Sequence, residues 1–365
     1  QEKYLPKLIS GEWTGTMNLT EPQAGSDLGV VKTIATPHED HYLISGQKIF
    51  ITWGDHPMAE NIIHLVLART PDAVAGSGGL SLFIVPKYMV NDDGSLGERN
   101  DVRPASVEHK LGINGSPTCV MSFGDDEGAI GYLVGELNKG LAAMFTMMNH
   151  ARMDVGLQGV AVSERSYQQA LAFAKERIQG GGQRIIEHGD VRRMLMQMKA
   201  LTEAGRALCF TAHAQNDMAH NAQDVNRQQA ARERADLLTP LAKGWSTEIA
   251  NEVTSLGVQI HGGMGFIEET GAAQHYRDAR ILAIYEGTNG IQALDLIGRK
   301  LTRDGGAMMA SLVDDMTQRC QALAEHKDLE DIATAMSAAV QTLRDSSEWV
   351  LSNAKEPNLT GTVAF

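Results

Sequence analysis

Glu286 stands in IYEGTNGIQ (Ile284 to Gln292), immediately before a helix start, since Thr288 is a good N-cap and Gly287 supplies a flexible joint. A glutamate there complements the helix dipole for about 0.3–1 kcal/mol, and that reading needs no ligand. It becomes a general base only where a cofactor and an acidic C–H are brought against it. Four other segments could carry chemistry. In HGGMGF (His261 to Phe266) the glycines Gly262, Gly263 and Gly265 let backbone amides approach a phosphate or a ring without Cβ obstruction. The segment is not GxGxxG and follows no strand, so it does not suggest a Rossmann site, and on its glycines alone a helix-to-helix turn accounts for it. TEPQAGSD (Thr20 to Asp27) reads alone as a loop, KIFITWG (Lys48 to Gly54) as a strand and KLGINGSPT (Lys110 to Thr118) as a hairpin. Each is bland separately; all together, in this order and at these separations, they are not. Cys119, Cys209 and Cys320 form no CxxC pair and no Cys/His set at zinc spacing, so they read as buried free thiols and no metal is expected.

Two kinds of element must position these groups. From Trp13 to about Val134 short β-type runs are broken by turn residues: Tyr42 to Ile44, then Ser45-Gly46 as a turn, Lys48 to Thr52, Ile62 to Ala68 and Leu80 to Val85. Gly76 to Gly79 reads as a loop and Asn91 to Asn100 as a polar connection. After Asn138 the period becomes helical: Leu141, Met144, Phe145, Met148, Val155 and Val162 recur until Gly180-Gly181-Gly182 stops the pattern. Asp190 is the expected N-cap of a second long helix through Val191, Met194, Leu195, Met198 and Leu201, and a third runs through Leu241, Trp245, Ile249, Val253, Leu256 and Ile260. A fourth begins near Thr288, and Met308 to about Asn353 reads as further helix, which together imply a bundle.

The chain has 365 residues, 43% apolar and 21% charged, which suits two or three globular domains. Its 32 Lys and Arg against 45 Asp and Glu leave a net charge of −13, so its field repels nucleic acid and anionic membrane. The apolar stretches are too short to span a bilayer. No leader pattern opens the chain, which fits a cytoplasmic location. Gln1 to Leu8 reads as the tail of a helix ending near Ser10 and Gly11, so an upstream domain is expected to be missing.

Five segments together resemble the acyl-CoA dehydrogenase family: its TEPxAGSD loop at Thr20–Asp27, KxxIT strand at Lys48–Thr52, KLGxxGS turn at Lys110–Ser116, QIxGGxGF loop at Gln259–Phe266 and YEGT segment at Tyr285–Thr288. The resemblance covers about residues 11 to 300 and implies an α+β multidomain fold. Residues 1–12 would be the tail of an N-terminal helical domain, 13–135 an antiparallel β-barrel middle domain, and 136–303 a C-terminal four-helix bundle. FAD would lie between barrel and bundle. Residues 304–365 would begin an extra helical domain as in larger members, including the 3-methylmercaptopropionyl-CoA dehydrogenase-like group, to which RIIEHGDVRRML (Arg184 to Leu195) is also similar.

Residue by residue, the resemblance implies that Met17, Leu19 and Thr20 hydrogen-bond or flank the flavin ring. Ser26 would contact the cofactor or the start of the pantetheine arm. Phe50 takes the place of a more usual Trp facing the flavin, and Thr52 supplies a hydroxyl near the reactive ring nitrogen. Gln259, Gly262, Gly263 and Arg177 would bind the adenosine-diphosphate part of FAD across a subunit boundary, which implies a homodimer or homotetramer. Thr288 also falls among the cofactor positions. Asn149, Arg152, Tyr285 and Gly287 fall at substrate positions; Asn149 stands where many members have Asp, and Arg152 reads either as a contact to the CoA arm or as a solvated helix charge. Gly290 replaces a frequent Gln, and Gly180 to Gly182 a KTFG-like turn.

The activity implied is FAD-dependent α,β-dehydrogenation of an acyl-CoA thioester to the trans-2-enoyl-CoA, with electron-transfer flavoprotein or another acceptor taking the electrons. Glu286 would be the base. Some branches take the base from the helix that here holds Ala151, which cannot abstract a proton. Two rivals share the fold: an acyl-CoA oxidase, and a non-catalytic AidB-like member associated with DNA, which the −13 charge and the retained Glu286 oppose.

Overall fold

The structure is a computed structural model that describes residues 2–353, so the end of the expected 304–365 extension lies outside the described residues. Contacts divide the chain into two compact units, residues 1–148 and 149–365.

The first unit opens with α1 (Leu5–Ser10), which ends where Gly11 turns left-handed. Ten strands follow: β1 (Trp13–Asn18), β2 (Ile34–His38), β3 (His41–Thr52), β4 (Asn61–Ala68), β5 (Ser81–Pro86), β6 (Tyr88–Val90), β7 (Leu96–Arg99), β8 (Val102–Val107), β9 (Thr118–Phe123) and β10 (Ala129–Val134). Eight of them form one sheet in the order β1-β4-β5-β10-β3-β9-β8, with β2 added on β3. β4 and β5 are covered on both faces, which is why Ile62 to Ala68 and Leu80 to Val85 read as nearly continuous apolar runs rather than alternations. Val66, Phe83, Val85, Met121 and Phe123 fill the core beneath them.

Three expectations are corrected here. The sheet is not wholly antiparallel: β1 pairs β4 in parallel, from Trp13 opposite Asn61 to Asn18 opposite Val66. The chain between them is long enough to cross over, because it includes β2 and β3. Ser45-Gly46 is no turn. β2 pairs with the first half of β3 up to Ser45, and β9 pairs with the second half from Gly46 onward, so backbone hydrogen bonding carries the strand through the dipeptide. Asn91 to Asn100 is not simply a connection, since it contains β7, which pairs with β6. The KLGINGSPT segment does link two paired strands, β8 and β9.

Helix α2 (Gly140–Glu176) crosses the division between the units. The second unit continues with α3 (Gly189–Asn221), α4 (Val225–His261), α5 (Ala272–Ala279), α6 (Asn289–Asp295), α7 (Ala307–Ala324) and α8 (Glu330–Asn353). Asp190 is corrected from N-cap to first-turn residue, with His188 at the cap position. α4 begins well before Leu241, because the Asp224 carboxylate accepts from the Asn226 and Arg227 N–H groups and so caps a start that the apolar pattern does not mark. The helix then continues through Pro240. α3 and α4 lie along one another over a core of Met194, Leu195, Met198, Val253 and Ile260. α7 and α8 pack together and add Val313 and Val350 to the cluster around Met153, Leu237 and Ala242.

One close approach sets the site. A Cβ on Gly156 would lie 2.8 Å from the Ala242 carbonyl oxygen, so α2 and α4 cross nearly backbone to backbone there. Arg152 lies one turn before Gly156, and Lys243 follows Ala242.

Candidate active site

A short 3-10 turn (Arg280–Ala283) leads into the segment Ile284–Thr288 and then α6. Within it Glu286 has φ 54° and Gly287 φ 84°, both left-handed. For a residue with a Cβ this conformation costs roughly 1–2 kcal/mol, so surrounding bonds must hold it. They come from three helices. The Glu286 carbonyl accepts from Arg152 Nε at 3.2 Å and from Gln292 Nε2 at 3.3 Å. The Gly287 carbonyl accepts from Lys243 Nζ at 2.7 Å and from Gln292 Nε2 at 3.3 Å. Thr288 closes the segment as the N-cap of α6, its hydroxyl accepting from Ile291 N at 3.2 Å.

With both carbonyls drawn towards the helices, the N–H groups of Glu286 and Gly287 have no acceptor among the described residues. Nor does any described donor hydrogen-bond the Glu286 carboxylate. Burial raises the Glu286 carboxyl above its ordinary value, against the opposing pull of Arg152 and Lys243. Beside it, burial and the Glu286 charge push the Tyr285 hydroxyl up to about 12, and that hydroxyl donates to Gln158 Oε1 on α2. Arg152 is 3% exposed and its Nη1 lies 3.4 Å from Asp295 Oδ2, while Arg299 Nε donates to Asp295 Oδ1 at 2.6 Å.

The fold therefore gathers Glu286, Tyr285, Gly287, Thr288 and Arg152. Arg152 faces inward, so it is not a solvated helix charge. Asn149 is half-buried one turn earlier on α2. Gln259, Gly262 and Gly263 are exposed at the end of α4 and just past it, and Arg177 is exposed just past the end of α2. The Gly262–Phe266 segment is a 3-10 turn ending in Phe266, 87% exposed.

In the first unit, the loop after β1 is tied to β3. Ile49 N donates to the Thr20 carbonyl at 2.9 Å and Lys48 Nζ to the Leu19 carbonyl at 3.0 Å. Lys48, fully buried, also reaches Glu21 Oε1 at 2.8 Å. Glu21 further accepts from Lys32 N at 2.7 Å and Thr33 N at 3.0 Å. Burial alone would raise the Glu21 carboxyl, but Lys48 and these donors outweigh it and bring it down to about 2. Past Lys48 the pairing of β3 slips, and the slip leaves Phe50 at φ 60° and 60% exposed, with Thr52 exposed beyond it. Met17, Leu19 and Thr20 are half-buried, and Ser26 is exposed.

Sequence reasoning missed Lys243, Gln292 and Asp295, and missed that Lys48 and Glu21 form a pair. A signal existed for Lys243. It falls among Thr239, Ala242, Ser246, Ile249 and Val253 on the covered side of α4, where a lysine is out of place unless its ammonium is bonded.

Comparison with known proteins adds to this geometry. Residues 16–125 match the acyl-CoA dehydrogenase middle domain, and residues 138–302 the acyl-CoA dehydrogenase C-terminal domain. The chain belongs to the acyl-CoA dehydrogenase family. It is 58% identical over 312 residues to 3-methylmercaptopropionyl-CoA dehydrogenase of Ruegeria pomeroyi, a match covering 83% of this chain and 52% of that relative. Against the caffeyl-CoA reductase-Etf complex subunit CarC of Acetobacterium woodii it is 33% identical over 83% of this chain and 72% of the relative. Among solved acyl-CoA dehydrogenase structures, butyryl-CoA dehydrogenase of Megasphaera elsdenii superposes with a TM-score of 0.66 at 29% identity, over 82% of this chain and 71% of that one. The chain thus spans only about half the length of its 58%-identical relative. The β-sheet unit and the helical unit are the family's middle and C-terminal domains, and α7 and α8 lie beyond both matched ranges.

Proposed function

We propose that this chain forms the flavin- and thioester-binding body of an FAD-dependent acyl-CoA dehydrogenase, with Glu286 as the base that removes the substrate's α-proton. The observation that carries the reading is the Glu286 carboxylate, desolvated and, among the described residues, without a hydrogen-bonding partner, beside its own backbone N–H that no described acceptor claims. A thioester α-proton is a poor acid. Its removal needs a carboxylate basic enough to take it and a donor that stabilises the developing enolate oxygen, and Glu286 offers both from one residue. Arg152, Gln292 and Lys243 hold the two carbonyls back so that the N–H groups are left for substrate.

The residues present fit FAD. Phe50 offers an exposed aromatic face and Thr52 an exposed hydroxyl two residues on along the same strand, to which the half-buried Leu19 and Thr20 are tied through their carbonyls. Gln259, Gly262, Gly263 and Arg177 would take the diphosphate end. When bound, FAD supplies the acceptor for the β-hydrogen as hydride. We assign to Ser26, Asn149, Tyr285 and Gly287 the lining of the thioester and its pantetheine arm. The sheet would close as a barrel and the long helices as a four-helix bundle, with a second copy of the chain meeting the exposed Phe266 turn and electron-transfer flavoprotein taking the electrons.

The test is anaerobic bleaching of flavin absorbance in the FAD-loaded full-length protein by acyl-CoA thioesters of varied length, including a methylthio-substituted one. Glu286→Gln is expected to keep the flavin spectrum and lose the reaction by about 10²–10⁴-fold. Near-normal bleaching by the variant would reject the base. Because burial raises the carboxyl above its ordinary 4.5, the acid limb of the wild-type profile should have its midpoint above 4.5.

A further inference from the structure

Lys243 is fully buried on the covered side of α4, with Thr239, Ala242, Ser246 and Thr247 around it. An ammonium in such a place costs several kcal/mol unless bonds and opposite charge compensate it. The bonds are present: Nζ donates to the Gly287 carbonyl at 2.7 Å and to Asn289 Oδ1 at 3.0 Å, one on each side of the Thr288 cap. Asn289 is itself held, its amide nitrogen donating to the Gly244 carbonyl at 3.1 Å and to Glu248 Oε1 at 2.7 Å. The opposite charge is not at ion-pair distance. Among the described residues no carboxylate lies within 4.0 Å of Lys243 Nζ, whereas Arg152 has Asp295 and shares it with Arg299.

We propose that Lys243 is a positioning residue for Glu286: its two hydrogen bonds fix the left-handed Glu286–Gly287 segment, and its unneutralised buried charge favours the ionised carboxylate. The proposal rests on the reading of Glu286 as the base. The charges that bear on Glu286 come from α2 (Arg152), α4 (Lys243, with Glu248 beyond it), Tyr285 beside it, and Asp295 and Arg299 at and after the end of α6. Burial and the nearby Arg152 bring the Lys243 ammonium down to about 8, against Glu286 and Glu248, so it remains charged through neutral pH. A neutral donor could supply the hydrogen bonds alone; the charge is the feature that calls for lysine.

The experiment is infrared titration of the Glu286 carboxyl in the whole protein, its band identified as the one lost in Glu286→Gln. Lys243→Met removes both bonds and charge, and its carboxyl midpoint should rise by about one unit or more, with a lower melting temperature. Lys243→Gln keeps a donor without the charge, and should show the same rise with a melting temperature nearer wild type. It also answers the question if the Met variant does not fold. A wild-type midpoint in Lys243→Gln would overturn the electrostatic role, and a wild-type melting temperature in Lys243→Met would overturn the positioning role. Neither readout needs turnover. If Glu286→Gln stays active, the base assignment fails by itself while the titration still decides the coupling.

Discussion

Arg152 donates from different nitrogens to different partners, Nε to the Glu286 carbonyl and Nη1 to Asp295, and a lysine, with a single nitrogen, cannot occupy both guanidinium positions. Arg152→Lys is therefore expected to lower stability by roughly 1–3 kcal/mol and to reduce kcat with little change in KM. Steady-state kinetics and a thermal melt would check this; a raised KM with kcat and melting unchanged would instead favour Arg152 as a contact to the CoA arm. The Thr288 cap and the Gly287 joint were legible because an N-capping threonine and a glycine act locally, within a few residues, whereas Glu286 stood out as a base only through the family resemblance. Lys243 and Gln292 were not legible. Their partners are carbonyls, which carry no sequence signature, and Lys243 reaches its own across 44 residues of chain.

Between elements, the pairing of Lys48 with Glu21 fastens the loop after β1 to β3, and its pH dependence is specific. The folded Glu21 carboxyl lies at about 2, below its ordinary 4.5, so the stability it contributes is complete above 4.5 and is lost as pH falls through about 2. Glu21→Gln should melt well below wild type at pH 7, and the gap should close as the pH is taken from 4.5 to 2. A gap that stays constant over that range would mean the carboxylate's charge is not what matters. Strand and helix existence was largely readable here, since period and turn residues are local properties. The errors have one cause: neighbours in space overrode the local signal. β2 and β9 carried β3 through Ser45-Gly46, and the Asp224 cap and the packing of α3 extended α4 past Pro240.

For the molecule as a whole, five short segments spread from Thr20 to Thr288 identified the family before any coordinate did, and the matched ranges 16–125 and 138–302 contain all five. The parallel pairing of β1 with β4 escaped, because strand order depends on crossovers that alternation does not encode. Among the described residues no helix is long and apolar enough to cross a membrane, in keeping with the short apolar runs. The turn after α2 bears on where this protein can accept change. Gly180, Gly181 and Gly182 are exposed, yet their φ angles are 71°, 91° and 85°, a conformation in which any side chain is strained. A Cβ on Gly181 would meet nothing within 4 Å, but Gly181→Ala should still lower stability by about 1–2 kcal/mol, visible as an earlier thermal melt; an unchanged melt would mean that the turn re-forms freely. Openness to solvent is no licence to vary. Anyone choosing a place for a fluorescent dye or an affinity tag would find this tip inviting on the surface and forbidden by the backbone beneath it.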